Sequence, residues 1–292
     1  MLPVMCIFEY ISVMKKYLLL VVLMSAAYAF QPAHKTWVAL GDSITYLNDH
    51  KDETGNRITK GYLTGTVEKM PGWEYINQGH NGWTAVRIAT EIDKLGLVPA
   101  DMYTVFLGTN DWWAGKPIGT LQDYTGNTGA GTVNGAFRII INKFRSLNKN
   151  ARIILFTPMQ RADFVYIGNF KNNAYGSYRD KNKQLLSQVA DAINAIGRKE
   201  GLTVVDLYHD PKLQLSKLVR FKRLRDPQTG LLHDYRYPDY IDKPFDADKD
   251  PYPYPPEAIN MTYDGLHPSD KGYEVITKSL LRAIKSRFIP VN

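Results

Sequence analysis

Two short blocks of this chain place a hydroxyl and an imidazole where acyl chemistry could use them. Ser43 stands in Gly41-Asp42-Ser43-Ile44-Thr45, directly after a short apolar run, and Asp264-Gly265-Leu266-His267-Pro268 sets a carboxylate three residues before a histidine. In a tight loop that carboxylate can accept the Nδ1–H of His267, which fixes the tautomer and leaves Nε2 free to take a proton. A free serine is a weak nucleophile, so such a base is what it would need. Two further blocks offer donors for a developing negative charge. Gly82, in Asn77-Gln78-Gly79-His80-Asn81-Gly82-Trp83-Thr84, can present a bare backbone N–H. Asn110, in Gly108-Thr109-Asn110-Asp111, carries a side-chain amide.

Each fragment also has an ordinary reading. A serine after a strand is a common helix N-cap, Gly82 alone is a turn glycine, and Asn110 alone reads equally well as an Asx-turn. Asp42 and Asp111 could be mistaken for the carboxylate pair of a glycosidase, but their places inside these blocks favour structural roles. Of the six histidines, His34, His50, His209 and His233 read as surface or loop residues, and His80 as one held by a structural hydrogen bond.

The elements that must position these residues follow from the apolar pattern. Short apolar runs at residues 36–40, 73–77, 102–108, 151–158 and 202–207 predict five buried strands. Helical spacing predicts helices over 84–95, 132–147, 178–200 and 269–288. Strand and helix alternate, which implies parallel strands, right-handed crossovers and helices on both faces, a single α/β/α sandwich. Ligands bind outside the carboxyl ends of such strands, where Ser43, Gly82 and Asn110 all stand. Residues 208–263, rich in Pro, Asp and Tyr, break the rhythm and read as a long ordered insertion.

At 292 residues and 44% hydrophobic, the chain can bury a full core. Lys15-Lys16, an apolar run over 17–24 and the small residues Ser25-Ala26-Ala27-Tyr28-Ala29 have the layout of a signal peptide cleaved after Ala29. Met14 would then be the true start. The run is shorter than the roughly 20 residues a membrane span needs, so no span is expected after cleavage, and the mature protein is expected to be secreted or periplasmic. Cys6 is the only cysteine and precedes the run, so the mature chain has no disulfide, thiolate nucleophile or cysteine metal site. A net charge of +7 is too modest and too spread out to argue for nucleic acid. The cluster Lys212, Lys217, Arg220, Lys222, Arg223 and Arg225 reads as the solvated face of a helix, with an anion-binding patch as the less favoured alternative. Asp246, Asp248 and Asp250 alternate as in a calcium loop, but Pro251 stands where a glycine would help.

Taken together and in order, Gly41-Asp42-Ser43-Ile44, Gly82, Gly108-Thr109-Asn110-Asp111 and Asp264-Gly265-Leu266-His267-Pro268 resemble the four blocks of the SGNH (GDSL) hydrolase family. The resemblance spans about residues 37–272 and implies a flavodoxin-like three-layer α/β/α sandwich around a central parallel five-stranded sheet. It also implies a Ser43, Asp264 and His267 triad, an oxyanion hole made by Ser43, Gly82 and Asn110, and no metal or organic cofactor. An α/β-hydrolase would need Gly-x-Ser-x-Gly, which this sequence lacks. No motif of the family explains the insertion.

The rings of Trp83, Trp112 and Trp113 flank these blocks, and Tyr235, Tyr237, Tyr240, Tyr252, Tyr254 and Tyr263 lie in the insertion. They suit stacking on sugar rings, or equally the packing of the insertion on the body. Export and a polar-aromatic surround favour a small acyl group on a carbohydrate, a glycan or other small ester substrate. The alternatives are a lipid or lysophospholipid ester and a catalytically silent glycan-binding protein on the same scaffold.

Overall fold

A computed structural model describes residues 14–17 and 34–286, and the expected signal sequence and its cleavage site lie almost wholly outside them. Of the described residues, those from Thr36 to Ser286 belong to one compact unit. Among the described residues no helix is long and apolar enough to cross a membrane.

The central sheet is built from β1 (Lys35–Gly41), β2 (Trp73–Gly79), β3 (Met102–Phe106), β4 (Arg152–Phe156) and, after a two-residue hairpin pair β5 (Phe164–Val165) and β6 (Asn173–Ala174), β7 (Thr203–Val205). Its order is β2-β1-β3-β4-β7. The recorded pairings of β1 with β3, β3 with β4 and β4 with β7 are parallel. Gly41 pairs with Phe106 and Phe106 with Phe156, so the carboxyl ends of three strands lie in register.

Strand periodicity divides the core. Trp37, Ala39, Met102, Phe106, Ile154 and Phe156 face one apolar cluster, with Tyr62, Tyr273 and Ile276 from the helices Tyr62–Val67 and Asp270–Lys285. Val38, Leu40, Tyr103, Val105, Ile153 and Leu155 face the other, with helices Ala85–Glu91, Val133–Leu147 and Leu186–Glu200. Every buried strand residue therefore meets a helix on its own side, which yields the expected three layers.

Two expectations need correction. The helix expected over 178–200 begins only at Leu186, because Asn182 and Lys183 both take left-handed backbone angles (φ 50° and 60°) that no helix can include. The basic stretch is not one helix. Only Leu215–Leu218 is helical, and Lys222–Arg225 forms β8, paired antiparallel with β9 (Leu232–Tyr235). Lys222 and Leu224 are buried at a period of two, a pattern that short apolar runs leave ambiguous in sequence. Three of the cluster's six cations are also paired with carboxylates. Arg223 forks onto Asp234 at 2.6 and 2.9 Å, Arg225 pairs with Asp250 at 3.0 Å, and Lys222 is buried against Asp163 at 2.7 Å.

The insertion is docked by its aromatic residues. Tyr240 and Tyr254 are fully buried in the first cluster, Tyr254 donates to the Asp163 carbonyl at 2.5 Å, and Tyr252 donates to that of Val165 at 3.1 Å. Asp246 is paired with Lys249 and Asp248 with Lys171, so this acidic run is already neutralised by protein cations.

Candidate active site

Ser43 opens the short helix Ser43–Tyr46 where β1 ends. The N-cap is Asp42, not Ser43, and its Oδ1 accepts the Ile44 N–H at 3.0 Å. The N–H groups of Thr45 and Tyr46 both bond the Asp42 carbonyl. The Ser43 N–H is left in the first turn without an intrahelical acceptor.

Across the crevice, the turn from Asp264 to His267 is fixed by its own carboxylate. Asp264 Oδ1 accepts from the N–H of Leu266 at 3.0 Å and of His267 at 2.7 Å, while Oδ2 meets His267 Nδ1 at 2.6 Å. Gly265 holds φ 91°, and a Cβ there would fall 1.9 Å from the Asp163 carbonyl oxygen, so only glycine fits. His267 Nε2 then lies 2.8 Å from Ser43 Oγ. Asp264 is wholly buried, and Ser43 and His267 are each 6% exposed. Burial opposes the charged imidazole, but the charge and hydrogen bond of Asp264, with a contribution from Asp42, outweigh it and hold the His267 pKa above the ordinary histidine value.

Gly82 sits third in a turn closed by the Trp83 N–H on the His80 carbonyl at 3.1 Å, with φ 75°. That is the left-handed position of a type II turn, which favours glycine for its backbone rather than for space. Asn110 does not make an Asx-turn. Its Nδ2 donates to the Trp83 carbonyl at 3.0 Å, which ties the third block to the second and leaves one amide hydrogen over. Asp111 is structural: it accepts the N–H groups of Ala85 and Val86 at 2.8 and 3.2 Å, at the start of the helix after that turn. Burial pushes the Asp42 and Asp111 carboxyls up to about 6.

These residues open on one cavity of about 330 Å³, lined by Ser43, Gly82, Asn110, Trp113, Tyr263 and His267 among others. Of the tryptophans, only Trp113 lines it. Trp112 is fully buried, donating Nε1–H to the Gln184 carbonyl, and Trp83 stacks between His80 and Arg87. His80 has its Nε2 buried with no hydrogen-bond partner, so stacking rather than a bond at that nitrogen marks it, and burial lowers its pKa. Of the tyrosines singled out in the sequence, Tyr263 alone lines the cavity.

Sequence reasoning missed Arg161, Phe164, Tyr166 and Asn172, which form the far wall. They follow β4, and the rule that ligands meet the carboxyl ends of strands was the available signal. Phe164 stands edge-on to the His267 ring at 5.5 Å. No metal-binding cluster occurs among the described residues.

Residues 39–275 match the model of the GDSL-like lipase/acylhydrolase family. A crystal structure described as a possible lipase from Chitinophaga pinensis is 59% identical over 84% of this chain and 96% of its own, with a TM-score of 0.83. An acetyl xylan esterase shares 15% identity over 85% of this chain and 99% of its own (TM-score 0.51). An acetyl-xylooligosaccharide esterase from a Geobacillus shares 16% over 87% and 96% (TM-score 0.50). These last two show a shared fold. A search of curated proteins finds no match. With all four blocks inside the matched region and 59% identity to one solved relative, the chain belongs to the GDSL-like lipase/acylhydrolase family.

Proposed function

We propose that this acylhydrolase is a secreted serine esterase that removes small O-acyl groups, acetyl above all, from carbohydrate. The observation that carries the reading is the continuous chain from Ser43 Oγ through His267 to Asp264, at 2.8 and 2.6 Å, opening on a polar cavity. His267 Nε2 takes the Ser43 proton as Oγ attacks the ester carbonyl carbon, and Asp264 stabilises the imidazolium. The oxyanion is held by the N–H groups of Ser43 and Gly82 and the Asn110 amide. The alcohol departs with the proton from His267. Water, deprotonated by the same base, then hydrolyses the acyl-enzyme and restores Ser43.

A cavity of about 330 Å³ suits a short acyl group beside a sugar ring better than a long chain, and Glu53, Asn81, Asn110 and Asn172 make its walls polar. The acetyl xylan and acetyl-xylooligosaccharide esterases that share the fold act on esters of this kind. Secretion follows from the tripartite leader ending at Ala29.

The test is hydrolysis of p-nitrophenyl acetate and longer esters, then acetate release from acetylated xylan and pectin, beside Ser43→Ala. Activity confined to short chains and cut by about 10⁴-fold or more in the variant supports the reading. A long-chain preference makes the protein a lipase, and equal rates in the two proteins remove Ser43 from the mechanism.

A further inference from the structure

Arg161 is a buried cation that no carboxylate touches among the described residues, although those of Asp163 and Asp264 lie near enough to favour its charge. It is 2% exposed, yet it lines the cavity that holds Ser43 and His267. Nη2 donates to the Tyr175 carbonyl at 2.5 Å, and Nε is buried without any hydrogen-bond partner. Among the described residues it has no ion-pair partner. The nearby carboxylates are already engaged: Asp163 by Lys222 at 2.7 Å, Tyr178 at 2.6 Å and the Gly176 N–H at 2.9 Å, and Asp264 by His267.

Holding a lone cation out of water is strongly unfavourable. The fold offsets this with ring faces, as the guanidinium carbon lies 4.7 Å from the Trp112 ring and 4.5 Å from the Trp113 ring. Burial draws the guanidinium pKa down to about 10, so it stays charged at neutral pH. A plug for the wall could have been an apolar residue of similar size at lower cost. The arrangement instead resembles a recognition site: a planar cation held by two rings and one carbonyl in the wall of the cavity that also holds Ser43 and His267. Lys181 adds a second cation over the Trp113 ring at 4.2 Å.

We propose that Arg161 binds a carboxylate carried by the ester substrate, so that the preferred substrates are anionic esters, with the Trp113 ring, which both Arg161 and Lys181 approach, in the wall of that subsite. The proposal rests on the esterase reading for its setting. The carboxylate can belong to the alcohol half, as in an acetylated uronic acid, or to the acyl half, as in a hemiester of a dicarboxylic acid.

The measurement is the ratio of kcat/KM on anionic to neutral esters. One arm compares acetylated oligogalacturonate with acetylated xylo-oligosaccharide, and the other mono-p-nitrophenyl succinate with p-nitrophenyl acetate. A wild-type preference in the first arm places the carboxylate on the alcohol, and in the second on the acyl group. In the preferred arm the ratio falls about 10- to 100-fold in Arg161→Met, chiefly through KM, with partial recovery in Arg161→Lys. No preference in either arm, or a ratio unchanged in Arg161→Met, overturns the proposal.

Independently of catalysis, binding to the Ser43→Ala protein is measured calorimetrically with galacturonate, galactose and succinate as probes. Binding of galacturonate or succinate, with none of galactose, supports the anionic subsite even if no ester is turned over. Equal binding of all three, or of none, overturns it. Because this arm needs no substitution at Arg161, it stands if Arg161→Met does not fold.

Discussion

The chain contains two aspartate-histidine pairs of identical spacing, Asp264 with His267 and Asp206 with His209, and their contrast shows what makes such a pair a machine. In both, a carboxylate oxygen meets Nδ1, at 2.6 Å in the first and 2.9 Å in the second. The inner pair is sealed, with side chains 0% and 8% exposed, and its Nε2 faces Ser43 Oγ. The outer pair is open, 34% and 55% exposed. Asp206 spends its remaining capacity on Thr157 and Asn194, at 3.0 and 2.9 Å, where it braces the end of β4 against the helix Leu186–Glu200. Local spacing makes the hydrogen bond in both places. Only burial and a hydroxyl brought from the far end of the chain give one of them the setting that the proposed reaction needs.

The contrast can be broken most directly by neutralising each carboxylate. Asp264→Asn should lower kcat about 10⁴-fold, since the amide no longer selects the tautomer or balances the imidazolium, whereas Asp206→Asn should change it less than about twofold. Comparable losses would mean that the spacing, not the setting, matters. Next in size is Asn110→Ala, with a loss of about 10²–10³-fold in kcat, because the outer pair has no counterpart to this donor.

A pH profile sharpens the comparison further. As the proposed base, His267 must be neutral, and its pKa is raised, so kcat/KM should climb through a midpoint above about 6.5. His209→Gln should leave that midpoint in place.

The smallest effect is on stability. Burial tends to raise the Asp206 pKa, but hydrogen bonds from His209, Asn194 and Thr157 prevail and hold it below the ordinary aspartate value. A depressed carboxylate stabilises the fold above its unfolded pKa and loses that contribution as pH falls through the folded value. Asp206→Asn should therefore cost under about 1 kcal/mol at neutral pH, given the exposure of the site, and less in acid, as thermal melting against pH would show.

Much of this was legible in the sequence, and for identifiable reasons. Apolar runs buried on both faces marked β1, β3 and β4, while β2 and β7, expected to be buried as well, are only partly so because they form the edges of the sheet; glycines with chemical neighbours marked the carboxyl ends of β1 and β3. The Asp206 pair has the same letters as the Asp264 pair, and its difference lies in solvent exposure, which spacing does not encode. Arg161 escaped notice because a lone arginine after a strand looks like any surface cation, and only packing against Trp112 and Trp113 makes it buried. The basic stretch misled because Lys222 and Leu224 alternate within a segment that also fits a helical period. Trp112 and Trp113 are adjacent in sequence, yet one is core and the other cavity wall, a distinction set by the short helix Thr109–Trp113 that turns consecutive side chains apart.

The hydrogen bond between Ser43 and His267 joins residues 224 positions apart. At a synthesis rate of about 5–20 residues per second, the hydroxyl is made roughly 10–45 seconds before its base. On the proposed mechanism a nascent or truncated chain carries an inert serine throughout that interval, so hydrolysis of a chromogenic ester would report on the completed chain, and its recovery after dilution from denaturant on the closing of this long-range contact.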